Sequence, residues 1–226
     1  MEVTLSLDKD PNIPIEYVEI IGNFTKYQNS LLMEEDKDCW LKTIKLPPGE
    51  HLYAFLINGN LRLNDPKANI YMLDNDDQIW SVIIINERGE RLYNNQKYSV
   101  HIEEYKLSSV MSEKPIKNHK RQYDRFLDQK IVARFLFTQV TGLHSITTAW
   151  YTPQGNLFQV SENYLIETNS KETQTKMLWF WLDLRNSKHQ LPCGLWTLKL
   201  FVDGAFILED KFQLLEKGYY SIRGDV

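Results

Sequence analysis

Leu46-Pro47-Pro48-Gly49-Glu50-His51-Leu52-Tyr53-Ala54-Phe55-Leu56-Ile57-Asn58-Gly59 spells a turn, an apolar strand and a second turn in fourteen residues. Pro and Gly set the first bend. The aromatic and aliphatic run from Leu52 to Ile57 suits a pleated strand, and Asn-Gly tolerates the positive φ angles of a tight two-residue hairpin. The pattern recurs at Leu191-Pro192-Cys193-Gly194, followed at the same distance by Asp203-Gly204 and then Leu208-Glu209-Asp210. Six of twenty ungapped positions are identical between Leu46–Asp65 and Leu191–Asp210. Two related sandwich domains would give this pattern, and so would convergence on a good hairpin.

Outward from these hairpins, nearly every apolar segment is short, β-branched or aromatic, and ended by Gly, Pro, Asn or Asp. Tyr17–Ile21, Trp80–Ile85, Val132–Val140, Met177–Leu184 and Trp196–Val202 read as strands, with a turn at Pro153-Gln154-Gly155-Asn156. The predicted fold class is all-β, two immunoglobulin-like sandwiches of the early-set type joined by a charged linker. The expected boundaries are 1–104 for the first, 105–130 for a charged linker or short helix, and 131–226 for the second.

Charge is unevenly spread. Residues 1–102 hold ten Lys and Arg against sixteen Asp and Glu, residues 103–130 hold seven against five, and the remainder is balanced. An acidic first half argues against nucleic acid, because phosphate binding needs a basic face. Lys114, Lys117, Lys120, Arg121 and Arg125 form either a solvated surface or a docking segment for an acidic partner. No apolar run of about 18 residues predicts a membrane span. No secretory leader is visible, and two well-separated cysteines, Cys39 and Cys193, suit a reducing cytoplasm, the expected location.

Val18-Glu19-Ile20-Ile21-Gly22-Asn23-Phe24, Asp38-Cys39-Trp40, the Leu46–Gly59 stretch and Asp65-Pro66 follow one another in the order and spacing of a known family. Residues 15–86 resemble the glycogen-binding modules of the AMP-activated protein kinase β subunit and of branching enzymes. The resemblance implies a β-sandwich in which sugars stack on two Trp residues and accept a hydrogen bond from a Lys. The matching positions are Tyr27, Leu61 and Ala54. Tyr can stack, but Leu has no π-face and Ala cannot donate; each such loss removes on the order of 1 kcal/mol or more. In the second repeat Lys199 and Phe206 stand parallel to the family's Lys and second Trp. The carbohydrate-binding candidates are therefore Tyr27, Leu61, Lys199 and Phe206.

The second half, with Trp150–Gly155, Gly194-Leu195-Trp196 and Val202-Asp203-Gly204, is similar to generic immunoglobulin-like sandwiches, a likeness that carries no activity. Along 196–202, Trp196, Leu198, Leu200 and Val202 alternate onto a core face, and Thr197, Lys199 and Phe201 point away. Along 177–184, Leu178, Phe180, Leu182 and Leu184 supply a core row. That leaves Met177, Trp179 and Trp181 opposite, an apolar face that another domain, a second copy or an external partner should cover.

The sequence offers no reactive constellation. It has no phosphate-cradling glycine loop, no nucleophile elbow and no spaced zinc ligands among His51, His101, His119, His144 and His189. Asp74-Asn75-Asp76-Asp77 lacks the Gly and closing Glu of a helix-loop-helix calcium motif. The expectation is a non-catalytic binding or scaffold protein without metal or cofactor, acting through protein contacts or self-association. The alternative is an α-glucan-binding protein with a modified sugar platform.

Overall fold

The computed structural model describes residues 1–94, 96–167, 175–185 and 191–216. The chain is built from β-strands, with a single 3-10 turn at Asn23–Thr25 and no α-helix among the described residues. Among the described residues no helix is long and apolar enough to cross a membrane.

The first sandwich takes its strands from residues 2–92. They are β1 (Glu2–Asp8), β2 (Val18–Gly22), β3 (Leu31–Leu32), β4 (Glu34–Glu35), β5 (Cys39–Lys45), β6 (Gly49–Ile57), β7 (Leu61–Leu63), β8 (Tyr71–Leu73), β9 (Ile79–Ile85) and β10 (Arg91–Leu92). A small sheet ordered β1-β5-β4 packs on a larger one ordered β10-β9-β6-β2-β3, with β7 on β6 and β8 on β9. Val3, Leu5 and Leu7 alternate inward from β1 and meet Val18, Ile20, Phe55 and Ile57 in the first core.

The second sandwich is made of β11 (Ser99–Ser108), β12 (Gln122–Asp124), β13 (Lys130–Thr141), β14 (Leu143–Tyr151), β15 (Leu157–Ile166), β16 (Lys176–Asp183), β17 (Gly194–Val202) and β18 (Ala205–Leu215). Its sheets run β11-β13-β16 and β12-β18-β17-β14-β15. All pairings are antiparallel except β12 with β18, which is parallel. The stretch read as a linker or short helix is thereby woven into the second sandwich. It opens within β11, Lys120 N–H donates to the Leu107 carbonyl at 2.9 Å, and Tyr123 is buried in the second core.

The two hairpins recognised in the sequence share geometry as well as residues. Gly49 and Gly194 open them at φ +134° and +138°. The turns close at Asn58-Gly59 (φ +52°, +70°) and Asp203-Gly204 (φ +53°, +85°). His51 Nε2–H donates to the Pro47 carbonyl at 2.8 Å, and Trp196, at the matching position, donates from Nε1 to the Pro192 carbonyl at 2.9 Å. The matching acids Asp65 and Asp210 are both buried and each accepts a tyrosine hydroxyl, Tyr53 at 2.6 Å and Tyr105 at 3.1 Å.

The five-stranded sheet is buried on both faces. Ile146, Trp150, Leu198, Leu200 and Val202 enter the second core, while Ala149, Tyr151 and Phe201 join the first. This explains why eight consecutive residues of β14 are buried, a pattern normally reserved for strands covered on both sides. One apolar cluster thus runs from the first sandwich into the back of the second.

Candidate functional site

Three places bear on binding. The first is the position matching the family's leading platform residue. A tight turn after β2 puts Lys26 and Tyr27 at φ +55° and +56°, and Tyr27 N–H donates back to the Gly22 carbonyl at 3.0 Å. The Tyr27 ring lies 5.0 Å from that of Trp80 at a 55° tilt, and Tyr27 is 43% exposed. Behind it the Arg62 guanidinium sits 4.2 Å from the Trp80 ring centre, and Trp80 Nε1 donates to Asp74 Oδ2 at 2.7 Å. Burial pushes the Asp74 carboxyl up, but hydrogen bonds from Trp80, Gln78 and Asp76 outweigh it and hold the group below the usual carboxylate range. The acid-rich loop is thus a capped turn, and among the described residues no cluster of acids, His or Cys could hold a metal.

The other two family positions are closed. Ala54 is fully buried and Leu61 is 2% exposed, sealed in the first core. Leu61 is corrected as a carbohydrate candidate, because the second sandwich lies over this end of the hairpin and removes its side chain from solvent.

The second place is the contact between the sandwiches, which claims Lys199 and Phe206. Lys199, 7% exposed, donates from Nζ to the Asn12 carbonyl of the first sandwich and pairs with Glu209 at 3.3 Å. Its ammonium lies 5.4 Å from the Tyr151 ring centre and 5.9 Å from that of Phe206, which packs against the first core. Both residues serve as interface material, so they too are corrected as an open sugar platform. Arg62 of β7 and Glu162 of β15 pair across the same seam at 2.9 and 3.0 Å, and a second Arg62 nitrogen donates to the Ile79 carbonyl at 2.6 Å. Burial raises the Glu162 carboxyl pKa, opposed chiefly by the Arg62 charge.

The third place is the outer face of the three-stranded sheet. Phe180 and Leu182 point into the core with Leu178 packed beside them, leaving Met177, Trp179 and Trp181 opposite, as alternation requires. The first sandwich covers the five-stranded sheet and leaves this face uncovered. Trp181 is 43% exposed with the Lys130 ammonium 5.7 Å from its ring centre. Trp179 and Met177 are half-buried over Arg134, which donates to Met177 Sδ at 3.2 Å and to Glu104 at 2.7 Å.

No acid–base or nucleophilic array emerges among the described residues. His119 and Arg121 both serve Asp210, at 2.9 and 3.0 Å, tying the 119–121 segment to β18. His144 is buried between Asp203 and two backbone carbonyls. Cys39 and Cys193 are free thiols, and His189 lies outside the described residues. Sequence reading assigned no site role to Arg62, Trp80, Tyr151 and Glu162. They sit on four different strands, β7, β9, β14 and β15, and a strand pattern says that a residue faces a sheet surface but not what lies against it.

Among solved structures, the chain is similar to an immunoglobulin-like protein from Pseudomonas aeruginosa, with 16% identity, a TM-score of 0.37, and 52% of this chain and 97% of that one covered. It is also similar to a Pseudomonas fluorescens alkylpurine DNA glycosylase solved with DNA containing an abasic-site analogue, at 12% identity and a TM-score of 0.36. That match covers 53% of this chain and 31% of the glycosylase. No curated protein sequence matches. Residues 14–90, about a third of the chain, match the family described as the glycogen recognition site of AMP-activated protein kinase, and over that span the first sandwich is a module similar to it.

Proposed function

We propose that this chain is a non-catalytic binding protein that docks other proteins through the outer face of the three-stranded sheet, with Trp181 as the anchor. The observation that carries this reading is an indole 43% exposed beside Trp179 and Met177, on the one broad sheet face that the first sandwich does not use. Large aromatic anchors of this kind dominate binding energy at protein interfaces. Two free thiols suit action in a reducing cytoplasm. A photo-crosslinking residue placed at position 181 in the native host is expected to trap one dominant protein, and the same residue at Thr4 on the first sandwich is expected not to. Equal labelling from both positions would remove the assignment.

An α-glucan reading is favoured by two observations, the family match over 14–90 and the exposed Tyr27 ring backed by Trp80. It predicts retardation in a glycogen-loaded native gel that Tyr27→Ala abolishes. Migration identical with and without glycogen sinks it.

A further inference from the structure

Between the end of β11 and the start of β13 the chain makes an excursion that carries the basic stretch from Lys114 to Arg125. Its charges divide into two sets. Lys120 pairs with Asp128 at 2.5 Å and Arg121 with Asp210 at 3.0 Å, so both hold the excursion down. Lys114 and Lys117 are exposed, Lys106 and Lys130 half-buried, and none of these four has an ion pair among the described residues. The acids around them are committed elsewhere. Glu104 serves Arg134 at 2.7 Å, Asp128 serves Lys120 and the Asp124 amide, and Asp183 accepts from the Arg185 amide. Glu113 is left as an exposed counter-charge beside Lys114.

At the foot of the excursion opens a groove of about 360 Å³, lined by Val110, Met111, Leu127 and Lys130 among others. Val110, Met111 and Leu127 are all exposed, a concentration of apolar surface that marks interaction sites more often than idle surface. Lys130 joins this groove to the outer face of the three-stranded sheet, because it lines the groove and its ammonium lies 5.7 Å from the Trp181 ring centre. Strand register carries the surface onward. Lys130 stands opposite Asp183, Val132 opposite Trp181, and Arg134 between Lys106 and Trp179. The groove, Trp181 and Trp179 therefore follow one another, with unpaired ammoniums at Lys130 and Lys106.

We propose that the groove and the Trp181 face together dock an acidic peptide segment of a partner protein. One apolar side chain of the segment sits among Val110, Met111 and Leu127, and its Asp or Glu residues meet Lys130 and Lys106. The inference rests on the reading of this face as a protein-docking surface and adds the chemistry of what docks there. Charge complementarity selects the occupant. Four unpaired lysines against one free acid attract a negative segment and turn away a basic one, with Lys114 and Lys117 adding to the field. A second copy fits badly, since a two-fold contact through this face would set the same lysines against each other. A concave groove accepts a side chain projecting from a segment, and its volume sits at the small end of the range of about 300–1,000 Å³ for binding pockets.

The test is selection from a random-peptide phage library on the full chain, then fluorescence anisotropy with the strongest binder. Selected peptides are expected to carry Asp or Glu flanking an apolar residue. Their affinity should weaken about threefold or more from low to high salt, and about fivefold or more in Lys130→Glu and in Val110→Asp. It should stay unchanged in Lys45→Glu, an exposed lysine of the first sandwich. Val110 is exposed, so Val110→Asp decides the matter if Lys130→Glu misfolds. Basic or uncharged winners, no winner at all, salt-independent binding, or an equal loss in Lys45→Glu overturns the proposal. So does co-sedimentation with phosphatidylserine vesicles that Val110→Asp abolishes, which assigns the surface to lipid. Failure here beside a dominant protein crosslink from position 181 leaves the docking face standing and removes only its acidic ligand; loss of both removes the face.

Discussion

Arg62 and Glu162, a hundred residues apart, form a two-pronged ion pair across the seam between the sandwiches, with one guanidinium nitrogen 3.0 and 2.9 Å from the two carboxylate oxygens. Both side chains are more than four-fifths shielded from solvent, so solvent screens the pair weakly. Removing one partner strands a shielded charge, whereas removing both strands none. Arg62→Ala or Glu162→Ala alone is expected to cost about 2–4 kcal/mol. Arg62→Met combined with Glu162→Leu should recover at least half of that. Urea denaturation at matched m-values measures it, and additive losses in the double variant would count against a cross-seam pair.

Stability should respond to pH through His144, whose partners all belong to the second sandwich. This ring is buried, with Nδ1 2.7 Å from Asp203 Oδ2 and Nε2 3.0 Å from the Thr141 carbonyl. Both neighbours accept, so the doubly protonated ring fits best. Burial alone would lower its pKa, but the Asp203 hydrogen bond and charge, with the Thr141 and Ser99 carbonyls, overcome this and raise it. A raised folded-state value gives stability that is fully present below the unfolded value of about 6.5 and fades as pH climbs through the folded one. Melting temperature is therefore expected to fall as pH rises above about 6.5. His144→Gln should flatten that slope, and an unchanged slope would mean that another group sets it.

Two glycines separate steric from backbone effects at the same seam. Gly204 (φ +85°) presses on the first sandwich, where an added Cβ would sit 1.8 Å from the Asn64 carbonyl oxygen. Gly155 (φ +82°) has the same backbone conformation and open space around it. Gly155→Ala is expected to cost about 1–2 kcal/mol, the ordinary penalty for a side chain in the left-handed region. Gly204→Ala should cost visibly more, because Asn64 backbone cannot give way without parting the sandwiches. Similar losses in the two variants would show that the Gly204–Asn64 approach is not maintained in solution.

These contacts mark where sequence reading succeeds and where it stops. Asn58-Gly59 and Asp203-Gly204 were legible as turns because the φ > 0 requirement is local. The faces of β16 and β17 were legible because strand alternation has a period of two. What alternation cannot say is whether the second face of a strand meets water or protein. Ser145, Thr147 and Thr148 are polar yet buried, and Lys199 is buried because its long stem carries its charge to a backbone carbonyl of the other sandwich. Leu61 reads as a lost sugar contact only if its surface stays open. Once the second sandwich covers it, Leu is the expected residue there.

Fluorescence offers a direct reading of the open face. Trp40, Trp80, Trp150 and Trp196 are each at most 5% exposed, and Trp179 is only half-buried but its indole N–H is sealed. Trp181 alone stands well into solvent among the described tryptophans, with Lys130 beside its ring. A positive neighbour concentrates anions and repels cations locally, more strongly at low ionic strength. Iodide should therefore quench one accessible component of the emission, and caesium should quench it less. Trp181→Phe is expected to abolish most of the iodide-sensitive fraction, whereas Lys130→Gln should bring the two quenchers closer together. If iodide leaves the parent protein's emission unquenched while light scattering reports a dimer, then a second copy, and no outside protein, occupies this face.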